Sequence, residues 1–96
     1  MYHLPAAHQD RLAMCALIEE ELPRRAREQG WPIRLAEEFA HLIFDPCFGG
    51  PFRDYVPEPF YHNLSEMKLQ AGLGIARNLM KLDAGGMGDL IKRRAP

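Results

Sequence analysis

Prolines limit where this chain of 96 residues can form helices. A proline inside a helix removes one hydrogen bond and clashes with the preceding turn, at a cost of ~3 kcal/mol, whereas the first position of a helix accepts it well. Apolar residues recur at three- and four-residue steps over residues 8–29, so we expect a helix there that breaks or bends at Pro23. The spacing puts Leu12 on its inward face. Asp10 is its candidate N-cap and Gly30 its candidate C-terminal stop.

A central helix is predicted over residues 33–44, where apolar side chains cover one broad face. Pro32 is well placed at its first position. Asp45-Pro46 should end it, because the residue before a proline avoids the helical region of backbone space.

Two helices are predicted in the second half of the chain. Ser65 is a good N-cap for a helix over residues 65–82, and Gly85-Gly86 should end that helix. A shorter helix is expected over residues 87–94.

Two glycines, Gly72 and Gly74, lie inside the predicted helix 65–82. Each weakens a helix by ~1 kcal/mol relative to alanine. We therefore expect them to admit the close approach of another helix, from this chain or from a second copy.

No segment shows the five-residue alternation of apolar and polar residues that indicates a half-buried strand. The length corresponds to one domain. We therefore predict a single all-α domain over residues 1–96, with three main helices, a short C-terminal helix, and a loop over residues 45–64 that covers the open end of the bundle.

The predicted loop is rich both in prolines and in rings. Residues 44–63 hold four of the eight prolines and six of the nine Phe, Tyr and Trp residues of the chain. Arg and Tyr carry much of the energy of protein interfaces, and a loop that prolines hold in shape loses less entropy on binding. The residues expected to face the core are Phe44, Phe48, Val56 and Phe60. The candidate protein-binding residues are Arg53, Asp54, Tyr55, Tyr61 and His62.

The net charge of −1 disfavours a strongly basic nucleic-acid binder and an acidic mimic of DNA. Two short basic clusters are nevertheless candidates for direct contact with nucleic acid, although helix C-termini favour cations in any case. These clusters are Arg24, Arg25 and Arg27, and Lys92, Arg93 and Arg94.

No pattern of residues indicates an enzyme, a cofactor or a metal site. The chain has no HExxH or CxxC motif. His41 and Asp45 are four residues apart, a spacing that suits a ligand pair or a simple hydrogen bond at a helix end. With His62 they would form a His–Asp–His set, and a metal-dependent enzyme around these three residues is a third, weaker alternative. Cys15 and Cys47 lack a base at diagnostic spacing, and we expect both to be small buried residues.

The sequence favours a cytoplasmic protein. No apolar run reaches the ~18 residues that cross a bilayer, and the N-terminus lacks a basic segment followed by an apolar one. Two cysteines without a disulfide framework suit a reducing compartment.

The run HLIFDPCFGGPFRDYVPEPFYHNLSEMKL, residues 41–69, resembles a group of small bacterial proteins encoded on plasmids, phages and integrated elements. The residues that carry this resemblance are His41, Asp45, Gly49 or Gly50, Phe52, Val56, Pro59, Tyr61 and Leu64. The resemblance implies a mobile-element context and no chemistry. Small proteins of that context often act by binding, and anti-CRISPR inhibitors are one such class.

We therefore expect a small non-enzymatic protein that sterically blocks a larger protein or nucleoprotein, with an anti-CRISPR inhibitor as the most specific version. The alternative is a small DNA-binding regulator from a mobile element. The sequence leaves the oligomeric state open.

Overall fold

A computed structural model describes residues 6–94, and the predicted all-α fold is confirmed: no strand occurs in this part of the chain. The helices are α1 (Ala6–Ala16), α2 (Leu22–Gln29), α3 (Ala36–Phe48), α4 (Phe60–Asn63), α5 (Glu66–Leu79) and α6 (Ala84–Arg94). A π-helical turn (Leu17–Glu21) joins α1 to α2, and a 3-10 turn (Phe52–Asp54) lies between α3 and α4.

The first helical run passes through Pro23 without stopping. The π-helical turn ends just before it, and Leu22 N donates to Leu17 O five residues back. Pro23 is then near the start of α2, where a missing N–H is tolerated. Gly30 ends α2 in the left-handed conformation, at φ 67°, as predicted. Asp10 is not an N-cap, because it lies inside α1 and its carboxylate accepts a hydrogen bond from Gln70.

The inward face of α1 differs from the predicted one. Met14 of α1 is buried, as is Ile18 of the π-helical turn, whereas the Leu12 side chain is 55% exposed. The π-helical turn between α1 and α2 contains one more residue than an α-helical turn. It therefore changes which side chains of α1 and α2 lie on the same face.

The central helix α3 is shifted along the chain relative to its prediction. Pro32 precedes it without being helical, and the helix begins after Leu35, whose N–H donates to the Glu38 carboxylate at 3.0 Å. Pro46 lies inside α3, so the predicted end at residue 44 is wrong. The final turn persists because Gly49 closes it at φ 74°, donating from N to Asp45 O at 3.0 Å.

The ends of α5 and α6 depend on two capping side chains. Ser65 Oγ accepts from Lys68 N at 3.2 Å, which confirms the predicted N-cap. Asp83 Oδ1 accepts from Gly86 N at 2.7 Å and so starts α6 earlier than predicted. Gly85-Gly86 therefore opens α6, and the prediction that it ends the preceding helix is wrong.

Only one of the two glycines of α5 admits another helix. A Cβ atom on Gly72 would lie 2.8 Å from Phe44 Cζ on α3 and 3.0 Å from Met14 Cε on α1. This close approach confirms the expectation for Gly72. Gly74 is exposed with open space around it, so the expectation is wrong there.

Candidate functional site

The connection between α3 and α5, residues 49–65, is called the aromatic connection below, and its inner side is part of the core. Phe52 and Phe60 are buried, with ring centroids 4.9 Å apart. The Phe44 ring of α3 lies 5.9 Å from Phe52 and 5.7 Å from Phe60. Val56 is buried as well. The predicted inward residues are thus confirmed except Phe48, which is half-buried.

Arg53 holds the aromatic connection against α3. Its guanidinium donates from Nε and Nη2 to the two oxygens of Glu37, at 2.6 and 2.5 Å, and its Nη1 pairs with Glu58. The same group lies 5.2 Å from the centroid of the Phe52 ring. A bidentate carboxylate pair fixes both side chains in one geometry. Arg53 is therefore a positioning residue rather than a free contact.

Two further side chains hold the second half of the aromatic connection. Arg11 of α1 donates to the Tyr61 and Leu64 carbonyls, at 2.6 and 2.8 Å. Asn63 donates from Nδ2 to the Pro57 and Pro59 carbonyls, both at 3.0 Å. Neither residue is among the predicted protein-binding residues. The carbonyls that Arg11 contacts lie 50 and 53 residues along the chain, beyond the reach of any local pattern.

His41 and Asp45 do meet, but as a structural pair. His41 Nδ1 lies 3.0 Å from both Asp45 oxygens, and its Nε2 lies 3.2 Å from a Glu37 oxygen. Asp45 also accepts from Phe52 N at 2.8 Å, which fixes the start of the 3-10 turn. His62 is exposed on α4. Among the side chains that the structure describes, no three from His, Cys, Asp or Glu are grouped so as to hold a metal ion.

The outer side of the aromatic connection carries a stack of three side chains, called the stacked surface below: Tyr55, Phe48 and Lys68. The Tyr55 and Phe48 rings are nearly parallel, 13° apart, with centroids separated by 5.4 Å. Lys68 Nζ lies 5.0 Å from the Phe48 centroid and donates to Cys47 O at 2.5 Å. Tyr55 is 57% exposed, so the stack presents one ring to solvent while the other supports it.

The five predicted protein-binding residues divide into two groups. Asp54, Tyr55 and His62 are exposed. Arg53 is exposed as well but is engaged with Glu37 and Glu58, whereas Tyr61 is half-buried and donates from its hydroxyl to Glu19 at 3.2 Å. Burial and the nearby Glu19 carboxylate raise the pKa of Tyr61 above its ordinary value, so its hydroxyl stays protonated.

The predicted basic clusters are mainly on the surface. Arg24, Arg27, Lys92 and Arg93 are exposed, and none forms an ion pair with another described residue. Arg25 is half-buried, and the Arg94 side chain lies outside the described part.

Neither cysteine is fully buried, which corrects the prediction for both. Cys15 and Cys47 are both half-buried, and no disulfide joins them. Burial, together with the nearby Glu19 and Glu20, raises the pKa of Cys15 above its ordinary value. A thiol with a raised pKa is mostly protonated at neutral pH and is a poor nucleophile.

The Arg53–Glu37 pair predicts a specific loss of stability in acid. Hydrogen bonds from Arg53 lower the pKa of Glu37 in the folded chain, against a smaller opposing effect of burial. The pair therefore stabilises the fold above the unfolded pKa of about 4.3, and this contribution is lost as the pH falls through the lower folded value. Between about pH 5 and pH 3 the melting temperature of the natural chain should fall more steeply than that of Glu37→Gln.

Thermal melts at several pH values check this, with Glu20→Gln as the control. Glu20 is an exposed glutamate on the π-helical turn, and its variant should follow the natural chain. Equal pH slopes for Glu37→Gln and the natural chain would contradict the prediction.

No helix within the described residues is both long and apolar enough to cross a membrane. The chain matches no protein-family model, no curated protein and no solved structure.

Proposed function

We propose that this chain is a small non-enzymatic binding protein that acts in the cytoplasm by covering a surface of a larger protein or nucleoprotein. The observation that carries this proposal is the stacked surface. An exposed tyrosine on a rigid support is the kind of side chain that dominates binding energy at interfaces. Inhibition of a CRISPR effector is the most specific version of the proposal, and it rests on the resemblance of residues 41–69 to proteins of mobile elements.

The ordering of the aromatic connection supports this proposal. Ion pairs of Arg53 and hydrogen bonds of Asn63 and Arg11 hold its backbone before any partner arrives. Binding therefore loses little conformational entropy, so more of the contact energy of Tyr55 becomes affinity. Asp54 and His62 are among the exposed polar residues of the same connection.

Replacing Tyr55 with alanine should weaken binding to the partner by about thirtyfold, the effect of a hot-spot residue worth ~2 kcal/mol. Leu12→Ala is the matched control, because Leu12 is 55% exposed, close to the 57% of Tyr55, and lies on α1. Capture from bacterial lysate with the natural chain and both variants identifies the partner, and titration of the purified partner measures the affinities.

The CRISPR version has its own test. Cells that carry a defined CRISPR effector and a targeted plasmid should keep the plasmid when they express the natural chain or Leu12→Ala, and lose it with Tyr55→Ala. Identical captured proteins and affinities for all three chains would refute the role of the stacked surface, whatever the plasmid assay shows.

A DNA-binding regulator is the second candidate, favoured by the four exposed basic residues that lack ion pairs in the described chain, Arg24, Arg27, Lys92 and Arg93. Contacts to phosphates release counterions, so affinity should fall steeply with salt. A mobility-shift titration at low salt with duplex DNA tests this candidate, and the absence of any shift eliminates it.

A further inference from the structure

A groove of about 510 Å³ lies between α3 and α6, apart from the stacked surface. Its apolar lining comes from Ile33, Leu42, Pro46 and Ile91, and its polar lining from Glu38, His41 and Asp45. A volume of this size lies within the range of protein ligand sites, and such sites combine an apolar floor with a few fixed polar groups.

The charge of the groove is negative, and its acidic groups are already oriented. The lining residues include two carboxylates and no lysine or arginine. Glu38 is fixed by the Leu35 N–H at 3.0 Å, and Asp45 by the Phe52 N–H at 2.8 Å. Glu38 also accepts from Arg34 N at 3.3 Å, and both Asp45 oxygens lie 3.0 Å from His41 Nδ1. A carboxylate has about four lone-pair sites, so each still has acceptor capacity beyond these bonds. The groove is therefore complementary to an apolar segment that also carries positive charge.

The spacing of the two carboxylates defines that segment further. Glu38 and Asp45 are seven residues apart on α3, which corresponds to about 10.5 Å along the helix axis. Two basic residues at i and i+7 of a second helix have the same separation, and residues i+3 and i+4 lie between them on the same face. Aliphatic side chains at these inner positions would lie opposite the middle of this stretch of α3, at Leu42.

We infer that this groove binds an amphipathic helix of a partner protein, with Arg or Lys at i and i+7 and aliphatic residues at i+3 and i+4. Helices that place an apolar face in a groove are a common mode of peptide recognition. The inference rests on the groove between α3 and α6 and does not depend on the proposed role of Tyr55.

The test uses two alanine-based peptides of about 20 residues, long enough to form helix in water. The first carries Arg at i and i+7 with Leu at i+3 and i+4, and the second carries Glu in place of both arginines. Titrations of the labelled peptides by fluorescence anisotropy at low salt measure affinity. The first peptide should bind at least about tenfold more tightly than the second, because like charges across an interface oppose binding. Circular dichroism should show that the first peptide gains helix as it binds.

Variants at Pro46 assign the binding to the groove. Pro46 is an exposed residue of the last turn of α3, so both lysine and alanine fit the helical backbone there. Pro46→Lys puts a cation in the groove and should weaken the first peptide about tenfold. Pro46→Ala is the matched control and should bind within about twofold of the natural chain. Glu38→Gln, whose amide oxygen still accepts from Leu35, should weaken binding about threefold through loss of one surface charge pair.

Three results would overturn the inference. The first is equal affinity of the two peptides, and the second is a Pro46→Lys variant that folds and binds like the natural chain. The third is a dimer of the natural chain in sedimentation that Pro46→Lys dissociates, which would assign the groove to a second copy. The variant Tyr55→Ala should bind the first peptide normally, so failure here is separate from failure of the proposed function.

Discussion

Replacing Phe52 with alanine should lower the free energy of unfolding by about 3–5 kcal/mol. The ring is fully buried, with its centroid 4.9 Å from those of both His41 and Phe60 and 5.9 Å from that of Phe44. Its loss leaves a cavity where α3, the 3-10 turn and α4 meet. A small domain has only about 5–15 kcal/mol of stability in total, so this one change removes a large share.

Denaturant unfolding followed by circular dichroism measures this effect, and Tyr55→Ala is the control. Both residues are aromatic and lie in the aromatic connection, but Tyr55 is exposed and loses mainly its stacking on Phe48, worth about 1 kcal/mol. If Phe52→Ala unfolded at the same denaturant concentration as Tyr55→Ala, Phe52 would not be the centre of this packing.

The same substitution at two positions of α5 should change stability in opposite directions. Gly72→Ala is expected to destabilise by about 1–3 kcal/mol, because its Cβ atom would overlap the Phe44 ring. The Met14 methyl group is the end of a flexible side chain and can shift, whereas the Phe44 ring is rigid and fully buried, so it can yield less. Gly74→Ala is expected to stabilise by about 0.5–1 kcal/mol, since it lies in open space and alanine favours the helix.

Denaturant unfolding curves of the two variants, measured under one condition, give the difference in their free energies of unfolding. No further control is needed, because both variants gain the same helix propensity from replacing glycine with alanine. The difference between them isolates the contact of α5 with Phe44. If both variants were stabilised, α3 and α5 would be farther apart than the structure shows.

The sequence predicts the parts of this fold that depend on local chemistry. The Ser65 cap and the Gly30 stop follow from the residues at those positions, and both form. The burial of Phe44, Val56 and Phe60 follows from the cost of exposing rings and branched side chains.

The rest of the fold depends on contacts that no local rule describes. The rule for residues before proline ends α3 at residue 44, but Asp45 bonds to Phe52 N seven residues later and Gly49 closes one more turn. The site prediction has the same limit. Arg53 and Tyr55 are equally plausible contacts by residue type. Only the positions of Glu37 and Phe48 show that Arg53 is engaged in holding the connection, while Tyr55 presents a supported ring to solvent.

The two long-range hydrogen bonds of Arg11 have a consequence for the order in which the chain folds. This side chain belongs to the first helix, yet the carbonyls it bonds lie 50 and 53 residues later. Bringing together residues so far apart in the sequence costs chain entropy, and this cost is offset only once the contact has formed. Such contacts therefore form late in folding. During synthesis, α1 leaves the ribosome before residue 64 does. Its arginine cannot form both hydrogen bonds until residue 64 has emerged. The aromatic connection therefore cannot reach its final shape before residue 64 has left the ribosome.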